Sequence, residues 1–191
     1  MEDKIDRRVK RSRSLLSEAV MSLILEKGYE AVTIRDITER ADVAYVTFFR
    51  HYKSKDELLA HCLQAGMRDL QTRIEAAARQ ARTNIPADAE GQLIFEHVQA
   101  NSPLYRVLLR SQGAGQVRQQ TLTAIETIFL TSCKPLSARE KLIPHQIAAH
   151  HMAVSLLSLI EWWLEHEMPY PVERMGQMYD RLIIKATLNA L

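Results

Sequence analysis

Between Ala44 and Lys55 the chain places Tyr45, Thr47, Arg50, His51, Lys53 and Lys55 in a segment that holds no Asp or Glu. Hydroxyls, a guanidinium, an imidazole and ammonium groups at this density form a cationic, donor-rich surface, whose chemistry is the binding of a polyanion. Tyr45 can offer its hydroxyl to a base edge or a backbone. Thr47 combines a hydroxyl with a methyl group suited to thymine, and Arg50 can reach a base or a phosphate. Tyr45, Val46, Thr47 and Arg50 are therefore the expected base-reading residues of a double-stranded DNA site. Thr33, His51 and Lys55 are the expected phosphate contacts, which fix register without reading sequence. Phe48, Phe49 and Tyr52 are expected to pack a small core.

Other reactive side chains do not converge in the same way. His145, His150 and His151 are separated by five and six residues from His145, which is not the one-face spacing of H-E-x-x-H, and no carboxylate motif accompanies them. A His-dependent metalloenzyme is thus the weaker alternative, and no catalytic residue, metal site or cofactor is expected. Cys62 and Cys133 lie far apart in apolar helical patterns without C-x-x-C spacing, as reduced core thiols do.

The elements that must carry the cationic segment are legible beside it. Thr33 with Asp36 is a T-x-x-D form of the capping box, opening a helix in which Ile34, Ile37 and Ala41 recur at helical spacing. Only Asp42, Val43 and Ala44 separate it from the next helical run, Tyr45 to Tyr52, so the two must pack as a helix-turn-helix. Before them, residues 4–27 read as a helix lined by Val9, Leu16, Ala19, Val20, Leu23 and Ile24 and stopped by Gly28. Its basic residues Lys4, Arg7, Arg8, Lys10, Arg11 and Arg13 lie where phosphates could be grazed. After them, Ser54 with Glu57 caps a fourth helix, from Lys55 to about Arg82, on the order of 40 Å long. A helix of that length leads out of a small head into a second body.

Net charge does not announce a nucleic-acid binder: residues 1–60 carry 12 Lys and Arg against 11 Asp and Glu, and residues 61–191 carry 13 against 12. Placement makes the argument. Few Gly and Pro and no alternating strand pattern predict an all-α chain of 191 residues. Further helices are expected near Ala87–Ala100, Pro103–Ser111, Gly115–Ser132 and Pro144–Glu167. Thr83–Asn84–Ile85–Pro86, Asn101–Ser102–Pro103, Gly113–Ala114–Gly115 and Lys134–Pro135 are the breakers. The most apolar run, Met152–Leu164, is interrupted by Ser155, Ser158 and Glu161 and is shorter than the roughly 20 residues a bilayer requires. With a charged N-terminus this predicts a cytoplasmic protein without a membrane partner. The last two helices expose more apolar surface than one body can bury. Val154, Leu157, Trp163, Met175, Met178 and Leu182 are expected to pair with a second copy as a four-helix bundle.

The run Thr33–Leu59 resembles the DNA-binding head of TetR-type transcriptional regulators. The likeness is carried by Thr33, Thr47, Phe48, Phe49, His51, Tyr52, Ser54, Lys55, Glu57 and Leu58 and covers roughly residues 7–60. Trp162–Trp163–Leu164 and Met168–Pro169–Tyr170–Pro171 resemble the end of helix eight and its following loop in the same family. The chain departs from the pattern at Asp42 where Gly is usual in the turn, Ala44 where a capping Ser is common, Val46 where Gly is frequent, Thr38 where a small Ala packs, and Phe49 where Tyr is frequent. The resemblance implies an N-terminal three-helix helix-turn-helix head, residues 1–60, joined by the long fourth helix to a helical effector-binding and dimerisation body, residues 61–191. It further implies a homodimer on a pseudo-palindromic operator, acting chiefly as a repressor that a small-molecule effector releases. Met67, Phe95, Tyr105, Leu108, Phe129, His151 and Trp162 are the expected pocket lining. Control by a protein partner in place of a small molecule is the alternative.

Overall fold

A computed structural model describes residues 2–81, 85–110, 115–132 and 143–190. The helices are α1 (Glu2–Lys27), α2 (Ile34–Arg40), α3 (Tyr45–Phe49), α4 (Lys55–Ala81), α5 (Ala87–Ala100), α6 (Ser102–Arg110), α7 (Gly115–Ser132), α8 (His145–Glu165), α9 (Val172–Tyr179) and α10 (Ala186–Ala190). Asp180–Lys185 forms a π-helical segment between α9 and α10. No strand occurs among the described residues, as the composition predicts. Cys133, Thr83–Asn84, Gly113–Ala114 and Lys134–Pro135 lie outside the described residues, as does the side chain of Lys4.

The chain forms two compact units, residues 1–65 with 103–118, and residues 66–102 with 119–191. The division falls inside α4, and it groups residues 103–118 with the N-terminal helices, whereas the sequence reading places them in the body. In the first unit the core is Leu16, Val20, Leu23, Tyr29, Val32, Ile37, Phe48, Tyr52, Leu58, Leu59 and Leu63, joined by Leu104, Tyr105 and Leu108 of α6. Burial pushes the Tyr105 phenol above its ordinary range. Gly28 ends α1 at φ 76°, the left-handed stop its position predicts. Cys62 is a free thiol, half-buried, and burial raises its pKa.

In the second unit Phe95 and Trp163 meet edge to face with centroids 5.2 Å apart, and the Trp163 indole donates to the Tyr170 carbonyl at 2.9 Å. α8 is 21 residues long and, by length and composition alone, apolar enough to cross a bilayer. Ala148 and Ala149 are buried too and extend the inward face by a further turn beyond the Met152–Leu164 run, so the apolar stretch is longer than that run alone predicts. Half of the apolar stretch is buried inside the chain, with Met152, Leu156, Leu157, Ile160 and Trp163 turned inward. The helix that follows is not regular throughout, as its apolar spacing suggests. In the π-helical segment Asp180 is buried and its carboxylate accepts from Lys185 Nζ at 2.5 Å. The wider π turn brings residues five apart onto one side.

α5 touches two neighbours through glycines. Against α9, Gly91 and Gly176 bring the two backbones into contact: a Cβ on Gly176 would stand 2.7 Å from the Gln92 nitrogen. Against α4, a Cβ on Gly66 would stand 3.0 Å from His97 Cε1. His97 is buried, and burial holds its imidazole below the ordinary range; Asp69 opposes the shift and Arg73 adds to it. Below about pH 6.5 the unfolded chain therefore binds more protons than the folded one, so the stability present above that pH is lost as pH falls through the window. Melting midpoints from about pH 7 to about pH 5 should fall further for the wild type than for His97→Gln. Equal falls would remove His97 from the account.

Candidate nucleic-acid interface

The second helix begins as its residues require. The Thr33 hydroxyl accepts from the Asp36 amide at 3.2 Å, the Thr33 amide donates to the Asp36 carboxylate at 2.7 Å, and Lys27 pairs with that carboxylate at 2.8 Å. These donors hold the Asp36 carboxyl far below the usual carboxylate range, with Lys27 the largest cause. Arg40 donates to the Glu26 carboxylate through both terminal guanidinium nitrogens at 2.6 Å and thereby ties α2 to the end of α1. Asp42 makes the turn at φ 50°, so the short acidic residue adopts the left-handed conformation in place of glycine. Ala44 leads into α3 without a side-chain cap, as its methyl dictates. Thr38, where a smaller residue is common in the resembling family, is buried with its hydroxyl on the Arg35 carbonyl at 3.0 Å.

Around the third helix the apolar residues divide. Phe48 and Tyr52 are buried and anchor the element, while Tyr45, Val46 and Phe49 are 55%, 57% and 48% exposed. Phe49 therefore departs from the expectation of core packing: it lies one position beyond the inward-facing Phe48 and turns outward against the edge of Tyr45, 5.3 Å between centroids. The α-helix also ends at Phe49, short of Tyr52. The amide of Arg50 bonds to the Thr47 carbonyl at 3.3 Å, and residues 50–51 continue as a tighter turn. Thr47 is half-buried and Arg50 exposed, so all four expected base-reading residues retain solvent access on this short element.

The three expected phosphate contacts fare differently. His51 is half-buried, and its pKa is lowered by burial and then by Arg13 and Arg50. Two guanidiniums from different elements thus act on one imidazole. Arg13 stands in the basic run of α1 with nothing in the sequence to set it apart from its neighbours; the fold brings its charge to bear on His51. Thr33, by contrast, directs both its amide and its hydroxyl to Asp36, the hydroxyl at 2.6 Å, so neither donor is directed outward. Lys55 donates to the carbonyls of Tyr29 at 3.0 Å and Val32 at 3.1 Å, which commits two of its three protons within the chain. The cap of α4 is also shifted from the expected box. Ser54 accepts from the Glu57 amide at 3.2 Å, but the Glu57 carboxylate takes the Lys53 amide at 2.5 Å.

In the second unit, Phe95 and Phe129 are buried and Met67 is half-buried, whereas Tyr105 and Leu108 belong to the first unit. His151 and Trp162 do not line an interior as expected. His151 is exposed, and Trp162 lies outward, stacked on His166 at 4.3 Å, because α8 directs Trp163 rather than Trp162 into the core. The same helical phase corrects the expected pairing face. Leu157, Trp163 and Met175 are buried within one chain, Met178 is half-buried, and Val154 and Leu182 are exposed together with Ile147 and Leu188. His150 bonds to Glu126 of α7. Among the described residues no group of three or more His, Cys, Asp or Glu side chains converges as metal ligands would.

A short solvent-facing helix after a left-handed turn, backed by a capped helix and flanked by cations, defines a helix-turn-helix head. Residues 16–62 match the family described as bacterial regulatory proteins, tetR family, and residues 92–185 match a transcriptional regulator C-terminal region. An uncharacterised HTH-type transcriptional regulator of Bacillus subtilis (strain 168), YxbF, is 26% identical over 179 residues, 93% of this chain and 46% of its own length. Another from Haemophilus influenzae is 32% identical over 116 residues, 56% of this chain and 53% of its own. The chain spans about half the length of these curated relatives. The crystal structure of a TetR-family transcriptional regulator from Syntrophomonas wolfei superposes with a TM-score of 0.71 at 19% identity, covering 95% of this chain and 97% of that one. The chain belongs to the TetR family of bacterial regulatory proteins.

Proposed function

We propose that the chain is a DNA-binding transcriptional regulator that works in the cytoplasm as a homodimer on a pseudo-palindromic operator, as a repressor released by a small-molecule effector. The carrying observation is the outward face of α3 and of the residue that ends it, where Tyr45, Val46 and Arg50 are exposed over a buried Phe48. Tyr45, Val46, Thr47 and Arg50 enter the major groove and read base edges, and His51 with Arg13 and Arg50 holds the flanking phosphates. Two heads reach successive groove faces about 34–36 Å apart, which is why the chain works as a pair. The exposed apolar residues Ile147, Val154, Leu182 and Leu188 supply the pairing surface. Residues 66–102 and 119–191 form the effector-binding and dimerisation body, with Met67, Phe95 and Phe129 toward the effector. An effector that prefers the non-binding head spacing by about 1–3 kcal/mol changes operator affinity about 5- to 150-fold.

Selection of duplexes from a random pool by the full chain tests this reading. It should yield a sequence with two inverted half-sites whose centres are about one helical turn apart. Recovery of no sequence preference, or of a single half-site bound by one chain, would sink it. Proton linkage gives a second measure. The imidazole of His51 is depressed in the free protein, and a phosphate oxygen beside it favours the charged form. Binding then takes up a proton, so affinity falls as pH rises from about 5.5 to about 8, and His51→Gln flattens the dependence. A variant as pH-sensitive as the wild type would place the proton elsewhere.

A further inference from the structure

A lysine in the first turn of a helix stands at the positive end of the macrodipole, an unfavourable place for an ammonium unless specific acceptors hold it. Lys55 has such acceptors. Its Nζ donates to Tyr29 O and Val32 O, two carbonyls within the short connector between α1 and α2, and it lies 4.4 Å above the Tyr29 ring. The next residue, Asp56, accepts from the Tyr29 hydroxyl. Tyr29 and Val32 are both buried, and Thr33, which caps α2, follows at once. One residue pair at the start of α4 therefore grips the connector through its carbonyls, its phenol and its ring face. Burial and the Asp56 bond raise the Tyr29 pKa well above the ordinary phenol range, so the hydroxyl keeps its proton and the bond persists across physiological pH.

We propose that Tyr29, Lys55 and Asp56 form a clasp that fixes the α1–α2 connector, and with it the start of α2, to the first turn of α4. Lys55 is on this account a positioning residue of the helix-turn-helix, acting through Tyr29 and Val32. The clasp makes the orientation of the head a function of the direction of α4, which is what a spacing-sensitive operator reads. The inference rests on the DNA-binding reading for its consequence, though the clasp itself does not depend on DNA.

Two variants of the full chain separate the possibilities: Tyr29→Phe removes the hydroxyl and keeps the ring, and Lys55→Met removes the ammonium and keeps the stem. In the absence of DNA, both should speed amide hydrogen exchange in residues 28–33 roughly tenfold while α1 exchange is unchanged. Unchanged exchange in that connector overturns the clasp whatever happens with DNA. With a duplex selected by the wild type, both should bind about tenfold more weakly with the salt slope retained. They should also lose much of the wild type's preference for that duplex over versions with one base pair inserted or deleted between half-sites. A fall in the Lys55→Met slope by about one, with Tyr29→Phe behaving as wild type, would make Lys55 a phosphate ligand and overturn the proposal. Equal weakening at every spacing would leave only a contribution to folding and would overturn it too. A wild type that selects no duplex would remove the DNA-binding reading, while the exchange result would still decide the clasp.

Discussion

Gly176→Ala is expected to destabilise the fold by about 3 kcal/mol, lowering the melting midpoint of the 191-residue chain by about 6–12 °C. Two effects of opposite sign compete. Alanine in a helix interior gains about 1 kcal/mol over glycine in propensity, so an open site would be stabilised. At Gly176 the added methyl would instead stand 2.7 Å from the Gln92 nitrogen and 3.2 Å from its Cα, both backbone atoms of α5. No rotamer change relieves a backbone clash, so α5 and α9 must separate and surrender the packing of Tyr179 and Met175, both buried there. Gly91→Ala meets the same crossing from the other side, 2.9 Å from Gly176 Cα, and should behave similarly. The control is Gly115→Ala, which meets nothing within 4 Å and should be neutral or slightly stabilising. Thermal melts of the three variants check the account, and a Gly176→Ala protein as stable as Gly115→Ala would contradict the crossing.

The second large effect falls on the head. Replacing Arg13 and Arg50 together by alanine should lower the salt slope of duplex binding by about two, because each phosphate contact contributes about 0.9 to the slope. Affinity should fall by at least tenfold at moderate salt. Arg50→Ala alone carries a further signature if the guanidinium reads a base edge: a loss of about 1–3 kcal/mol confined to the preferred base pair. Thr47→Ala should alter preference among duplexes while leaving the slope in place, as loss of a base-edge contact without a phosphate contact does. Salt titrations on the selected duplex and on one with a changed base pair separate these outcomes. An unchanged slope in the double variant would remove the Arg13–Arg50–His51 cluster from the phosphate surface.

The head was legible because local rules set it. Thr33 with Asp36, Gly28 at a helix end and Asp42 in a three-residue turn each admit few conformations, and each adopts the expected one. Which donors of the head face outward was less legible, since the rules that mark a donor cannot say where it is spent. Lys55 and Thr33 carry the right groups but direct them to Tyr29, Val32 and Asp36, partners set by how the connector folds back. Arg13 shows the converse: its charge acts on His51, 38 positions later, and nothing in the sequence pairs the two. In the second unit the apolar stripe of α8 was visible, but its phase was not. Trp162 and Trp163 are chemically identical in the sequence, and only the indole bond to Tyr170 and the edge of Phe95 decide that Trp163 is interior. The glycine crossing of α5 and α9 left no sequence signal beyond two isolated glycines 85 positions apart.

The most direct test is a footprint of the full chain on the duplex it selects. Two protected major-groove faces, with centres about 34–36 Å apart on one side of the duplex, should appear together and vanish together in the Arg13→Ala, Arg50→Ala protein. Protection of a single face, or two-face protection that survives loss of both arginines, would contradict the claim that α3 and its flanking cations are the DNA-binding surface.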